Sequence, residues 1–386
     1  MKIAWFCVPA HGHTNPTLGL VKALTDAGHE IYYFSFNDFK EKLENAGAKF
    51  VSCDGYDFDM EDKENGDRVG KDMAFAVELL VCSTLSLDEM IAKNIEEIKP
   101  DLIITDSIAY WGKLTAKKFN IPFISSTTTF AFNRYSSAYM KRGIMETLKM
   151  LFSMPKINKQ LDRLREKGYP IKNILDIVQN DNETNTIVYT SKFFQPCADT
   201  FSDKYKFIGP SMRAVENEVK KTKDTTVYIS LGTVVKNENF YSNCIEAFKK
   251  TDYQVIIALG TNDVSFGELP ENIKVYKSVD QMAVLSIADV FITHCGMNST
   301  SEALYYEVPL VMCPQTPEQG AVARRTEELG AGVMLNDKST PEDILNIVNG
   351  VIKDTRYKEA AKKVSESFKN SGGIEEAKEF VENILK

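Results

Sequence analysis

The chain has 386 residues, 43% of them apolar and 26% charged, with a formal net charge of -8. That length is more than one ordinary hydrophobic core accommodates, so two domains of similar size are expected. The acidic balance argues against nucleic acid as the partner, since phosphate-binding surfaces are basic. No apolar run approaches the ~18 residues of a membrane span, so stable membrane insertion is not expected either.

The opening "KIAWFCV" has the composition of a buried strand and none of the layout of a signal peptide. The seven cysteines are scattered without a CxxC pair and suit small buried hydrophobes in a reducing compartment, so a cytoplasmic location is expected. Asn15 and Pro16 suggest an N-cap and first helical position for "TLGLVKALTDAG", which ends at Gly28. "IYYFSF" follows as a strand, then a helix closing at Gly47, then the strand "KFVSC". This strand–helix alternation is the rhythm of a parallel sheet. Residues 54–68 are acidic and aperiodic and read as an exposed loop that contains Asp57 and Asp59. "DLIITD" is a buried strand ending in Asp106, and "PFISST" and "TIVYTS" are further strands.

Composition turns polar over "SMRAVENEVKKTKD", which places a linker at 213–224 between an N-terminal domain at 1–212 and a C-terminal domain at 225–372. The rhythm restarts with "TVYISLGT", "QVIIALG", "IKVYKS", "DVFITHCG", "PLVMCP" and "GVML", then ends in helices. The expected class is α/β, with two doubly wound domains facing a cleft. Ligands in such sheets bind beyond the carboxyl ends of the strands.

Three constellations lie at strand ends. In "HGHTNP", His13 follows the first strand, where a neutral imidazole can take a proton from a hydroxyl, and Asp106 ends another strand of the same sheet. On residue type alone, a loop histidine and a helix-capping aspartate are equally good readings. His11 reads as a loop-shaping residue and His29, after a helix-ending glycine, as solvated. In "THCGMNSTSEAL", Gly296, Asn298 and Ser299 open a helix, a natural phosphate site to which His294 adds a donor. Glu302, one turn beyond Asn298, suits the two hydroxyls of a ribose. In "CPQTPEQG", Glu318 and Gln319 suit sugar hydroxyls, although Pro-Glu at a helix start is also ordinary capping chemistry. The sequence has no Walker A motif, no GxGxxG, no GxSxG and no zinc-type spacing.

Together, "HGHTNP", "ISLGT" and "FITHCGMNSTSEALYYEVPLVMCPQTPEQ" resemble the UDP-glycosyltransferases of glycosyltransferase family 1, nearest to bacterial macrolide-type and small-molecule glucosyltransferases. The resemblance covers nearly the whole chain. It implies the GT-B fold of two Rossmann-like domains and inverting, metal-independent transfer from a UDP-sugar, with glucose the expected hexose. It also implies no cofactor and no metal ligands. His13 matches the base and Asp106 its partner. His294, Asn298 and Ser299 match diphosphate ligands, with Gly232, Thr233 and Gly296 beside them. Glu302 matches the ribose ligand, Glu318 and Gln319 the sugar ligands, and Val279 and Gln281 the base-binding run. In most relatives the last helix crosses back onto the N-terminal domain, which gives that role to residues 373–386. Three departures stand out. Ser278-Val279-Asp280-Gln281 replaces an aromatic-x-Pro-Gln run, Glu307 replaces a turn glycine, and Val322 stands where asparagine is frequent.

The acceptor is expected to be a small lipophilic natural product such as a macrolide, flavonoid or other phenol, in a pocket near Met73, Phe75, Phe130 and Tyr135. Those four also suit ordinary core. Two alternatives from other classes are a non-catalytic partner protein on the same fold and a nucleotide-sugar epimerase or hydrolase.

Overall fold

The computed structural model describes residues 1–55, 72–139, 144–178, 180–215, 217–232, 238–260, 264, 266–336 and 338–385. Asp57, Asp59 and Thr233 lie outside the described residues. The chain divides into two compact units. One comprises Met1–Tyr189, Cys197–Ser211 and Gly372–Lys386, the other Thr190–Pro196 and Met212–Ser371.

The first unit is built on a parallel sheet of β1 (Lys2–Phe6), β2 (Glu30–Ser35), β3 (Lys49–Ser52), β4 (Leu102–Asp106), β5 (Phe123–Thr127), β6 (Thr186–Val188) and β7 (Tyr205–Phe207). Their order is β3-β2-β1-β4-β5-β6-β7. Alternation along β1 dictates two apolar layers, as a sheet covered on both faces requires. Ile3, Trp5 and Cys7 face Leu20, Val21 and Leu24 of the helix Leu18–Asp26. Ala4, Phe6 and Val8 face Leu87, Ile91 and Ile95 of the helix Met73–Ile98. Gly28 and Gly47 end their helices with φ of 85° and 90°, a left-handed position that suits glycine. The helix Gly373–Asn383 contributes Ala377 and Val381 to the first layer, and Gly373 N–H donates to the Ile208 carbonyl at 2.9 Å.

The second unit carries β8 (Thr226–Ser230), β9 (Gln254–Ala258), β10 (Ile273–Tyr276), β11 (Val290–Thr293), β12 (Leu310–Met312) and β13 (Gly332–Met334) in the parallel order β10-β9-β8-β11-β12-β13. Residues 190–196, inside the block that composition gives to the N-terminal domain, belong here for a clear reason. The Arg325 guanidinium donates to the Phe193 and Phe194 carbonyls at 2.7 and 3.1 Å, and the Phe194 ring packs edge-on to Phe368.

Two local expectations are corrected. The helix after β1 begins at His11, with Ala10 as N-cap, so Asn15 is not a cap. Pro16 cannot donate to the carbonyl four residues back, and there the helix tightens into a 3₁₀ turn over Asn15–Thr17. His29 is not solvated: its Nδ1 lies 3.2 Å from the Met1 amino group and its Nε2 3.1 Å from Glu382 Oε1. Among the described residues, no helix is long and apolar enough to cross a membrane.

Candidate active site

In both sheets the strand order reverses direction at one place, between β1 and β4 in the first unit and between β8 and β11 in the second. The loops beyond the carboxyl ends of those strands diverge to opposite faces and leave a crevice, the usual ligand position of doubly wound sheets. His13 follows β1 and Asp106 ends β4. Gly232 follows β8 and His294 follows β11.

In the first unit, His13 sits in the first helical turn, its N–H donating to the Ala10 carbonyl at 3.0 Å. Its ring Nδ1 is 2.7 Å from Asp106 Oδ2 and 3.1 Å from Thr128 Oγ1. Asp106 is buried, and its Oδ1 accepts the Ile108 N–H at 2.9 Å. The helix that follows is capped by Ala109, so Asp106 does not serve as its N-cap. With Nδ1–H donated to the carboxylate, Nε2 is the ring's acceptor, and any proton taken there leaves an imidazolium beside a fixed negative charge. His11 packs its ring edge-on to Phe39, with centroids 5.0 Å apart.

In the second unit, the helix Met297–Tyr305 starts at Gly296, which offers no side-chain cap to the first-turn amides. His294 explains two glycines. A Cβ on Gly232 would stand 2.7 Å from its ring Cε1, and one on Gly296 would stand 2.8 Å from its Nε2. Gly232 also has a φ of 72°, which favours glycine. Burial pushes the His294 imidazole down to about 4, against the opposing effect of the Ser230 backbone. Near neutral pH the ring is uncharged, so it can meet an anion only as a dipolar donor, not as a cation.

Glu302 is buried one turn further along the helix. Its Oε2 accepts from Gln281 Nε2, and Arg213 Nη2 stands 3.6 Å from its Oε1. Gln281 is itself oriented: Tyr228 OH donates to its Oε1 at 3.0 Å, and its Nε2 also donates to Ser299 Oγ at 3.2 Å. Burial raises the Glu302 carboxyl, and the Gln281 hydrogen bond and Arg213 charge oppose that shift. The structure thus joins Gln281, Ser299 and Glu302 in one hydrogen-bonded group. It adds Arg213 and Tyr228, which no sequence motif marked.

Gln319 forms a capping box with Thr316 at the start of the helix Pro317–Glu328, its Oε1 accepting the Gln315 and Thr316 N–H groups. Capping chemistry therefore occupies the carbonyl side of this amide. Glu318 is exposed beside it and Val279 is half-buried. The four residues of the expected acceptor pocket have unlike settings. Phe130 is buried, Phe75 half-buried and Tyr135 exposed, with the Arg134 guanidinium over its ring. The Met73 side chain lies outside what the structure describes.

Two Rossmann-like units, each with polar groups at its topological switch point, give the α/β architecture of the GT-B fold, a class that includes many glycosyltransferases. A family model described as "UDP-glucoronosyl and UDP-glucosyl transferase" matches residues 199–372. The NDP-glycosyltransferase YjiC of Bacillus licheniformis is 34% identical, the alignment covering 99% of this chain and 97% of that protein. A crystal structure of the glycotransferase of kitacinnamycin superposes with a TM-score of 0.86 at 26% identity, covering 99% of this chain and 98% of that one. The calicheamicin glycosyltransferase gives 0.81 at 26% identity, covering 100% and 98%. The chain belongs to the UDP-glycosyltransferase family and is a glycosyltransferase enzyme.

Proposed function

We propose that this enzyme moves a hexose, glucose in the first place, from a UDP-sugar to a hydroxyl of a small lipophilic natural product, with inversion and without a metal. The observation that carries this reading is the 2.7 Å contact between His13 Nδ1 and the buried Asp106 carboxylate. It leaves Nε2 as a base for an acceptor hydroxyl. The acceptor oxygen attacks the anomeric carbon in line, the bond to the diphosphate breaks, and the hydroxyl proton passes to His13 Nε2. Charge developing on the leaving UDP meets fixed donors in place of a metal: the first-turn amides at Gly296–Ser299 and the neutral His294 ring. Glu302 accepts hydrogen bonds from the ribose hydroxyls, and the NH₂ of Gln319 with the Glu318 carboxylate reads the sugar. The natural-product acceptor is supported by two structural relatives named for kitacinnamycin and calicheamicin.

The test is incubation with UDP-glucose, with and without a phenolic or macrolide acceptor, in EDTA, followed by mass spectrometry. A hexose mass gain on the acceptor, at a rate unchanged by EDTA, is the expected result. Sugar release without acceptor would indicate a hydrolase, and no donor consumption a binding protein. Activity restored only by Mg²⁺ or Mn²⁺ would overturn the metal-independent mechanism.

A further inference from the structure

His13 Nδ1 has a second neighbour besides Asp106. Thr128 lies just beyond β5, the strand next to β4, with Asp106 and Ser126 in register between them. Its side chain is buried, and its Oγ1 stands 3.1 Å from the ring nitrogen. Among the described residues this nitrogen is its sole hydrogen-bond partner, so the hydroxyl neither caps a helix nor closes a turn.

We propose that Thr128 is a positioning residue for the base: its oxygen accepts a share of the His13 Nδ1–H bond, so that two acceptors from two strand ends fix the ring plane and aim Nε2 at the acceptor. This rests on the reading of His13 as base. The direction of the bond follows from Asp106. Its Oδ1 already accepts from Ile108, and an acceptor oxygen 2.7 Å from a ring nitrogen requires the proton to sit on that nitrogen. With Nδ1 protonated, the Thr128 oxygen can only accept. A single acceptor lets the ring pivot about one bond axis; a second, out of line with the first, stops that pivot. The bond also strengthens as the ring becomes cationic, so it favours the protonated product of the base step. The other titratable groups around Asp106 stay neutral: burial pushes the Cys7 thiol and the Tyr110 and Tyr189 hydroxyls upward.

The test compares Thr128→Val, Thr128→Ala and Thr128→Ser in the full chain, using steady-state kinetics from pH 5 to 9 with UDP-glucose and one fixed acceptor. Removing the hydroxyl should lower kcat roughly 3- to 12-fold, the equivalent of one hydrogen bond, with the donor KM unchanged. The acid limb of the pH profile should move to lower pH, because the imidazolium has lost an acceptor. Thr128→Ser should restore both rate and profile. A Thr128→Val profile that superimposes on wild type would overturn the proposal. So would a Thr128→Ser variant as impaired as the valine one, since that pattern reports packing by the methyl group. Thr128→Ala decides the matter if the valine variant does not fold. His13→Ala serves as the control: if it remains active, the reading of His13 as base fails, separately from Thr128.

Discussion

The two units place polar groups at the same point of the same topology, yet they assemble them in opposite ways. The first unit gathers its cluster from three strand ends far apart in sequence: His13 after β1, Asp106 on β4 and Thr128 after β5. The second draws most of its cluster from one strand–helix junction, His294 to Glu302, held by two neighbours, Gln281 and Arg213. The first cluster holds an ionisable dyad suited to moving a proton. The second offers a neutral imidazole, helix amides and a buried carboxylate, which suit binding a diphosphate and a ribose. Proton chemistry needs groups that converge on one atom from different directions. Anion binding can be met by a single helix end.

If that division holds, changes on the two sides separate in their effects. The largest is expected for His13→Ala, which should cut kcat by roughly 10²–10⁴-fold. Calorimetry should find its UDP affinity unchanged, and a comparable loss of affinity would break the division.

The next effect concerns pH. Burial holds the His294 imidazole at about 4, below its value of about 6.5 in an unfolded chain. The native state therefore binds fewer protons than the unfolded state between those values. Stability from this source is complete above pH ~6.5 and lost as pH falls toward 4, by up to about 3 kcal/mol. Urea titrations at pH 7 and 4.5 should show a smaller acid loss for His294→Asn than for wild type. Equal losses would mean that the ring is not desolvated as described.

Glu302→Ala sharpens the binding half of the comparison. A ribose offers two hydroxyls to the carboxylate and a deoxyribose one, and an unpaired buried acceptor costs about 1–3 kcal/mol. Wild type should therefore favour UDP-glucose over dTDP-glucose by roughly 5- to 150-fold in kcat/KM, and the alanine variant should lose most of that preference. A wild type that prefers dTDP-glucose would remove the ribose role of Glu302.

The smallest effect is structural. Glu307 holds a φ of 63° at the turn before β12, where the family resemblance leads one to expect glycine. Its ion pair with Lys369 at 3.8 Å is partly exposed and worth little. Relief of left-handed strain should make Glu307→Gly more stable by about 1 kcal/mol in thermal melts, with activity unchanged. A less stable variant would show that the ion pair outweighs the strain.

The same contrast explains what could be seen in the sequence. Contiguity made the second cluster legible: His294, Asn298, Ser299 and Glu302 lie within nine residues, and helical spacing alone puts Asn298 and Glu302 on neighbouring turns. The alternating strands were legible too, because β1, β4 and β11 are short apolar runs bounded by polar loops. Arg213 and Tyr228 carried no signal, since one lies in a polar linker and the other inside a buried strand. Thr128 left a trace in "SSTTTF", hydroxyl residues at the end of β5, but only the order of strands in the sheet makes that strand β4's neighbour. Asn15 and Pro16 point to the wrong helix start because local capping preferences take no account of the turn already begun at His11.

The return of the helix Gly373–Asn383 to the first unit has a consequence for biosynthesis. Its Ala377 and Val381 complete the layer that Ile3, Trp5 and Leu20 begin. Residues 1–189 therefore leave the ribosome before the helix that completes their core, while Met212–Ser371, almost wholly contiguous, can condense in the interval. A product that terminates early, short of Gly372, would lack Ala377 and Val381 from that layer. Quality control would then meet a folded second unit joined to an unfinished first one.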